Sequence, residues 1–402
     1  MDLELRPIVK EELESFIRAD SSAFGTAPDA DALADVAGWL DLSRSRAVFD
    51  GGRMVGASAT MAFELTLPGL TSVPAAGVSW VGVVATHRRR GLLRAMMAAL
   101  LDDAAARHEP VAILTASESH LYGRFGFGPA SWRMSWEIER HHAALVSPAE
   151  GSGALELIDG GVAAAALPPL FDAARRDQPG DLDRKPAWWS THLRERPPPA
   201  GPRRTRWHVL HRSAGGPDGY ATYHLDISWE HGVPRSRLVV HELVARTMGA
   251  ETALWRYLLD MDLTEVVEAG NRPVDEPLRW ILAEPRRLRV TGLRDELWVR
   301  LLDIPVAMAA RRYAVDGELV IDVAGSGRYL VAGGPDAAAC RSVATSPELS
   351  IGLDGLGALY LGGVAPSTLA RVGLVIEHRP GALARADAMF IIHPAPFSRT
   401  RF

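Results

Sequence analysis

Residues 78–97, VSWVGVVATHRRRGLLRAMM, constrain the fold more than any other part of this chain. The apolar run Val78–Ala85 has the continuity of a buried strand, and it stops at a turn bearing Arg88, Arg89 and Arg90. Gly91 follows, and then Leu92, Leu93, Met96, Met97, Leu100 and Leu101 recur at helical spacing. A buried strand therefore feeds a basic, glycine-marked turn that opens an amphipathic helix. The first backbone N–H groups of such a helix have no intrahelical partner, and together with the macrodipole they attract an anion. Three arginines add fixed charge and forked donors suited to phosphate oxygens. A diphosphate fits this junction; a solvated basic turn without a guest is the plainer alternative.

A second short strand, VAILTA (111–116), follows the helix, and after it comes LYGRFGFG (121–128). That order of strand, Arg-rich turn, helix, strand and Tyr-x-x-x-Gly-Phe resembles the GNAT family of acetyl-CoA-dependent N-acetyltransferases. The family's pyrophosphate loop reads Gln/Arg-x-x-Gly-x-Gly/Ala. Here Arg88-x-x-Gly91-x-Leu93 matches at two positions and departs at the third. HRRRGLLR (87–94) combined with SxxxLYGRFGFG (117–128) is similar to the Eis subfamily, the multi-acetylating aminoglycoside acetyltransferases of actinobacteria. The likeness runs the length of the sequence, to Phe402. It implies an α/β fold with mixed sheets: two tandem GNAT-like domains, the second degenerate, and a sterol-carrier-like α/β domain at the C-terminal end. It further implies acetyl-CoA as co-substrate, no metal, and a homohexamer that the third region helps to assemble.

A length of 402 residues suits two or three domains. The expected boundaries are 1–145 for a catalytic domain, 146–288 for a degenerate copy and 289–402 for the sterol-carrier-like domain. Trp132–Glu139 alternates like a strand closing the first domain, and 146–155 reads as a linker. GYATYHLD (219–226) and SRLVVHELVA (236–245) are strand candidates. A helix with Ala250, Ala253, Leu254, Tyr257 and Leu258 on its apolar face follows them. That step repeats 78–101, but the turn Arg246-Thr247-Met248-Gly249 has one arginine, so tight diphosphate binding is not expected there. LWVRLLDIPVAMAARRY (297–313) reads as a helix broken at Pro305. GELVIDV (317–323) and RYLVAG (328–333) read as a hairpin, and LSIGLDGLGALYLGG (349–363) as a strand and a short helix. Gly355-x-Gly357 is not a dinucleotide fingerprint, because no third glycine follows at the required spacing.

A net charge of −5 gives no support to nucleic-acid binding, and Arg203, Arg204 and Arg206 beside Pro197–Pro199 read as a solvated loop. Cys340 is the only cysteine, which excludes an intrachain disulfide and a cysteine-rich metal site, and its distance in sequence from the motif disfavours an acetyl-cysteine intermediate. The charged start MDLELRPIVKEELE is unlike a signal peptide, and no stretch of about 18 apolar residues offers a membrane span, so the chain reads as cytoplasmic. His141 and His142 are adjacent, expected to point different ways, and read as surface residues rather than metal ligands. Trp188 and Trp189 read as core or interface.

Acetylating an amine requires that the diphosphate be held, that the attacking ammonium lose a proton, and that the departing thiolate be stabilised. Arg88, Arg89, Arg90 and Arg94, with the backbone N–H groups of Gly91, Leu92 and Leu93, are the expected diphosphate binders. Resemblance adds Val81, Gly82 and Val83 as backbone contacts to the pantetheine arm, and Ser117 and Glu118 beside the cofactor. Tyr122 is the candidate general acid, since a phenol with pKa about 10 is protonated at neutral pH; packing with Phe125 and Phe127 is the other explanation. By resemblance the base is the C-terminal carboxylate of Phe402, behind the stiff segment His393-Pro394-Ala395-Pro396-Phe397. Phe24, Trp39, Trp80 and Arg401 are candidate pocket residues, although each of the aromatics could equally be core. Asp20, Asp29, Asp31, Asp35 and Asp41 could attract a polycationic amine or form a solvated face, while Arg399 and Arg401 make the pocket mouth less acidic. The expected acceptors are aminoglycosides or similar polyamines. Alternatives are protein lysines, or a non-catalytic protein that binds acetyl-CoA and carries a lipid in its third region.

Overall fold

The computed structural model describes residues 3–28, 30–146, 153–194 and 205–402. Asp29, Pro197–Pro199, Arg203 and Arg204 lie outside the described residues. The chain divides into two compact units, Met1–Ser131 with Asp295–Phe402, and Trp132–Arg294.

The first unit carries a seven-stranded sheet in the order Leu3–Arg6, Ala47–Asp50, Arg53–Thr66, Ser72–Val83, Val111–Leu114, Trp298–Leu301, Gly128–Pro129. A hairpin opens it: Asp50 pairs with Arg53 across Gly51 and Gly52, both at positive φ (56° and 82°), the geometry that a two-residue turn between twisted strands demands. The helix Leu92–Ala106 buries Leu92, Met96, Met97, Leu100, Leu101 and Ala104 against the sheet, the period read from the sequence.

Two expectations fail here for one reason. Residues 298–301 are not helical: they pair antiparallel with Val111–Leu114 on one side and with Gly128–Pro129 on the other. The helix begins only at Ile304, where Asp303 accepts the Val306 N–H at 3.0 Å and Pro305 sits in the first turn, the place its missing N–H does no harm. Conversely, Trp132–Glu139 does not close the first sheet. It pairs with Thr264–Pro273 in the sheet of the second unit. A strand from beyond residue 295 thus completes the first sheet, so the boundaries 145 and 288 cut through pairing that does not follow chain order.

The rest of the first unit is a five-stranded sheet ordered Ala338–Ser342, Gly327–Gly333, Gly317–Val323, Leu349–Ile351, Val375–Glu377. The expected hairpin is present, with Gly317 opposite Gly333 and Val323 opposite Gly327. Gly357 has a packing role: in the helix Leu353–Leu359 it lies against the Val299 carbonyl, where a Cβ would collide with backbone. Arg311 is fully buried and donates to the carbonyls of Leu359, Tyr360 and Phe390, tying together the C-terminal ends of the helices Leu353–Leu359 and Ala382–Phe390. The apolar interior lined by Ile321, Leu349, Leu356 and Phe390 leaves a cavity of about 10 Å³. That is the room of a single water, so this cavity has no space for a lipid.

The second unit has its own seven-stranded sheet, ordered Arg289–Asp295, Trp132–Glu139, Thr264–Pro273, Ser236–Ala245, Gly216–Asp226, Trp207–Ser213, Ala154–Ile158. Its core centres on Trp136 and Trp255, with ring centroids 5.2 Å apart. Trp188 and Trp189 are buried and flank Arg184, whose guanidinium lies 3.9 Å from the Trp188 ring and also bonds Glu242. Burial would raise the Glu242 carboxyl, but Arg184 outweighs it and holds it at about 2.

Burial depresses His192 and His241 to about 3, with Arg206 acting in the same direction on both. Both therefore stay neutral in the fold through a range where a free imidazole, near 6.5, takes a proton. The unfolded chain then binds more protons, so stability falls as pH drops below about 6.5 and continues to fall toward about 3. At pH 5 two such histidines cost about 4 kcal/mol. Urea unfolding followed by tryptophan fluorescence at pH 7.5 and 5.0 should show that loss. His241→Gln should remove about half of the pH dependence, and an unchanged midpoint shift would refute the account.

Candidate active site

Ser72–Val83 is flanked on one edge by Arg53–Thr66 as far as Val83, which pairs with Gly56. On the other edge, parallel pairing with Val111–Leu114 covers only Ala75, Ala76 and Gly77. Beyond Gly77 the strand runs on with that edge open. Unpaired main-chain N–H and C=O groups in an extended strand accept another extended chain. Val81, Gly82 and Val83 lie on this open stretch, the position from which their backbones can pair with a pantetheine arm.

Within it, Ser79 pairs with Ala59 and Gly82 with Ala57, so Trp80 and Val81 together oppose Ser58. This is a β-bulge, and Trp80 takes φ +52° to make it. A left-handed conformation costs a tryptophan roughly 1–2 kcal/mol. The sequence offers no signal for it, because glycine is the residue that marks such a turn. Trp80 packs edge-to-face on Phe16 with centroids 6.3 Å apart.

Successive residues of the strand face opposite ways. Ala76 and Val78 belong to a buried cluster with Met97, Leu100 and Tyr122. Gly77, between them, faces Phe63 and Phe402, with an added Cβ falling 3.0 Å from the Phe402 ring. Phe402 therefore lies against Gly77 on one face of the strand, and the cluster that contains Tyr122 covers Ala76 and Val78 on the other. The Tyr122 phenol is buried, which raises its pKa; a hydrogen bond with the Ser117 side chain opposes the rise and Glu118 adds to it. Tyr122 also packs edge-to-face on Phe127, so the packing explanation and the acid role coexist. Ser117 thus reaches the phenol, while Glu118 is exposed, with its carboxylate 3.8 Å from His120.

Chain ends normally fray, but this segment is held. Phe397, Ser398 and Thr400 are buried, and the Ser398 hydroxyl donates to the Thr400 carbonyl at 3.1 Å. The Phe402 ring lies 4.7 Å from that of Phe63. Arg401, expected to face the pocket, has its Nε 3.7 Å from the buried Glu296 carboxylate. Its charge is balanced there, which removes one objection to a cationic acceptor. Nothing in the sequence pairs positions 296 and 401; only the fold brings them together.

The arginine turn divides its labour. Arg88 donates from Nε to the Val83 carbonyl at 3.2 Å and from Nη2 to the Ala23 carbonyl at 2.6 Å, so it braces the turn rather than extending toward a guest. Arg89 takes φ +62° and Gly91 φ +80°. Gly91 caps the helix with no side-chain hydrogen bond, leaving the first-turn N–H groups of Leu92, Leu93 and Arg94 directed at an open position. Arg89, Arg90 and Arg94 are exposed around it, and Arg89 and Arg94 have no ion-pair partner among the described residues. Such a cradle fits a diphosphate.

The aromatic pocket candidates separate. Phe24 is exposed and is not a packed wall. Trp39 is half-buried, with an Nε1 that meets no hydrogen-bond partner among the described residues. Of the carboxylates, Asp31 is exposed, Asp35 is buried, and Asp41 caps a short turn by accepting the Ser43 N–H at 3.0 Å. His141 and His142 do not diverge: a 3₁₀ turn brings their rings within 4.0 Å, and both reach Glu139. The three ligand atoms lie within 4.8 Å of one another on an open surface.

Comparison with known proteins follows this geometry. The acetyltransferase (GNAT) domain family matches residues 4–130, a second GNAT domain family matches 180–301, and the sterol carrier protein domain family matches 304–399. The chain is 36% identical to N-acetyltransferase Eis of Mycobacterium tuberculosis over 347 residues, covering 85% of this chain and 84% of the relative. The chain belongs to the Eis-like GNAT N-acetyltransferases. An uncharacterized N-acetyltransferase of Streptomyces griseus is 38% identical over 405 residues, covering 97% of both chains. The crystal structure of Eis1 from Mycobacterium abscessus superposes with a TM-score of 0.89 at 34% identity, covering 99% of this chain and 100% of that one.

This Eis-like acetyltransferase treats its second GNAT region differently. There the helix Met248–Leu259 is capped by Thr247, whose hydroxyl accepts the Ala250 N–H at 3.1 Å and donates to the Asp218 carboxylate at 3.2 Å. Glu251 stands in the first turn. The Thr247 side chain thus occupies a helix start that the first GNAT region leaves open, and Asp218 and Glu251 put negative charge beside it. GNAT acetyltransferases use acetyl-CoA; of these two helix starts, the first has no side-chain cap and stands among exposed arginines, whereas the second is capped by Thr247. No helix among the described residues is long and apolar enough to cross a membrane.

Proposed function

We propose that this enzyme transfers acetyl from acetyl-CoA to primary amines of aminoglycosides or similar polyamines, by direct attack in a ternary complex, as a cytoplasmic homohexamer. The reading is supported by Phe402 lying against Gly77 on one face of the opened strand and by the cluster of Ala76, Val78 and Tyr122 on the other. Acetyl-CoA supplies the activated acetyl thioester. The uncapped turn at Gly91, with Arg89 and Arg94, binds its diphosphate, and Arg88 keeps that turn against Val83. Val81 and Val83 offer main-chain groups that align the arm along the open edge.

The amine nitrogen forms a C–N bond to the acetyl carbon as the C–S bond breaks. The proton released from the amine goes to the carboxylate of Phe402, directly or through water. The Tyr122 phenol donates its proton to the departing sulfur, a role for which its burial keeps it protonated.

The test is release of free thiol from acetyl-CoA over kanamycin-type aminoglycosides, spermidine and lysine-bearing peptides. Faster turnover with the first two supports this acceptor class, preference for the peptides would reassign it to protein lysine, and silence with every amine would overturn it. Tyr122→Phe should lower kcat by about 100-fold or more with KM for acetyl-CoA within about twofold. An unchanged kcat would remove Tyr122 from the mechanism. Light scattering tests the hexamer.

A further inference from the structure

The helix Leu13–Ala23 directs one group at the open strand that the chemistry above does not use. Phe16 packs on Trp80, and Asp20, one turn later, descends on Gly82: its Oδ1 lies 3.5 Å from where a Cβ on Gly82 would stand. That oxygen is buried and accepts no hydrogen bond from any described residue. No charged partner acts on it; burial alone pushes the carboxyl up to about 6. Arg88, the cation bonded to this helix's last turn, donates to the carbonyls of Ala23 and Val83.

A buried carboxylate oxygen without a donor opposes folding. Gly82 and Gly77 face the same side of the strand, the side on which Phe402 also lies. They pair with Ala57 and Met61 of the neighbouring strand, which places them roughly 13 Å apart along the sheet. We propose that Asp20 is a specificity residue of the acceptor site, its carboxylate holding a second, non-reacting ammonium of the substrate so that amines carrying two or more cations are preferred. The proposal rests on the amine-acetylation reading and narrows its substrate class. The reacting nitrogen must lose its proton near Phe402, whereas the one at Asp20 keeps its own and supplies the missing donor. A polyamine or a two-ring aminosugar has cations far enough apart to serve both points.

The test compares wild type with Asp20→Asn, a replacement of equal size without charge, using spermidine and n-butylamine as acceptors in the thiol-release assay. The ratio of kcat/KM for spermidine to that for butylamine should fall about tenfold in the variant, through KM. A ratio that stays constant, including one where both values drop together as loss of a general base would cause, overturns the proposal. Calorimetric titration with spermidine gives a readout independent of turnover. Affinity should weaken about tenfold in Asp20→Asn; equal affinity in the two proteins, or none in wild type, contradicts it. If spermidine binds through Asp20 yet no amine is acetylated, the catalytic reading fails and the cation site stands. The variant's Tm should equal or exceed that of wild type, because an unsatisfied buried charge is removed; a purely structural Asp20 would lower it.

Discussion

Deleting Phe402 lowers amine acetylation by about 100- to 10,000-fold while leaving acetyl-CoA affinity within about twofold. The size follows from what a positioned base contributes, and the selectivity follows from geometry. The ring of Phe402 rests on Phe63 and Gly77, away from the arginine turn proposed to bind the diphosphate. Buried Phe397, Ser398 and Thr400, with the Arg401–Glu296 pair, fix the approach of the chain to that point. Deletion moves the terminal carboxylate back by about 3.5 Å, and a C-terminal tag carries it away altogether. Phe402→Ala is the informative contrast: it keeps the carboxylate in sequence and removes only the ring, so its kcat should fall less than in the deletion. Steady-state kinetics with an amine that turns over in wild type checks all three. Full activity in the deletion or tagged protein would reject the assignment.

The motif region was legible because its chemistry is local. A strand, a glycine-marked basic turn and a helix of period 3.6 occupy 78–101, and neighbours in sequence are neighbours in space. The hairpin at 317–333 was readable for the same reason. What escaped was non-local. LWVRL at 297–301 carries no mark that its partners are Val111–Leu114 and Gly128–Pro129, and its proximity to a genuine helix at Ile304 made a longer helix the simpler reading. Trp132–Glu139 was recognisable as a strand, but alternation does not name the sheet. In the site, Arg88 matched the loop pattern yet serves as a brace, since a motif specifies residue type and not where a guanidinium points. Asp20 was one carboxylate among five until the fold buried it without a partner.

The account depends on the first helix start being an anion cradle and the second being closed. Calorimetric titration of CoA into wild type and into an Arg88→Ala/Arg89→Ala/Arg94→Ala variant tests this most directly. Arg89 and Arg94 supply charge to the guest and Arg88 holds the loop in place, so losing two charged contacts and the brace weakens binding roughly 100-fold or more. Wild-type affinity should also fall with added salt, as expected for exposed arginines. Thr247 and Asp218 close the second helix start, so the stoichiometry should be one CoA per chain. A triple variant that holds CoA as firmly as wild type, or a second equivalent bound per chain, contradicts the account.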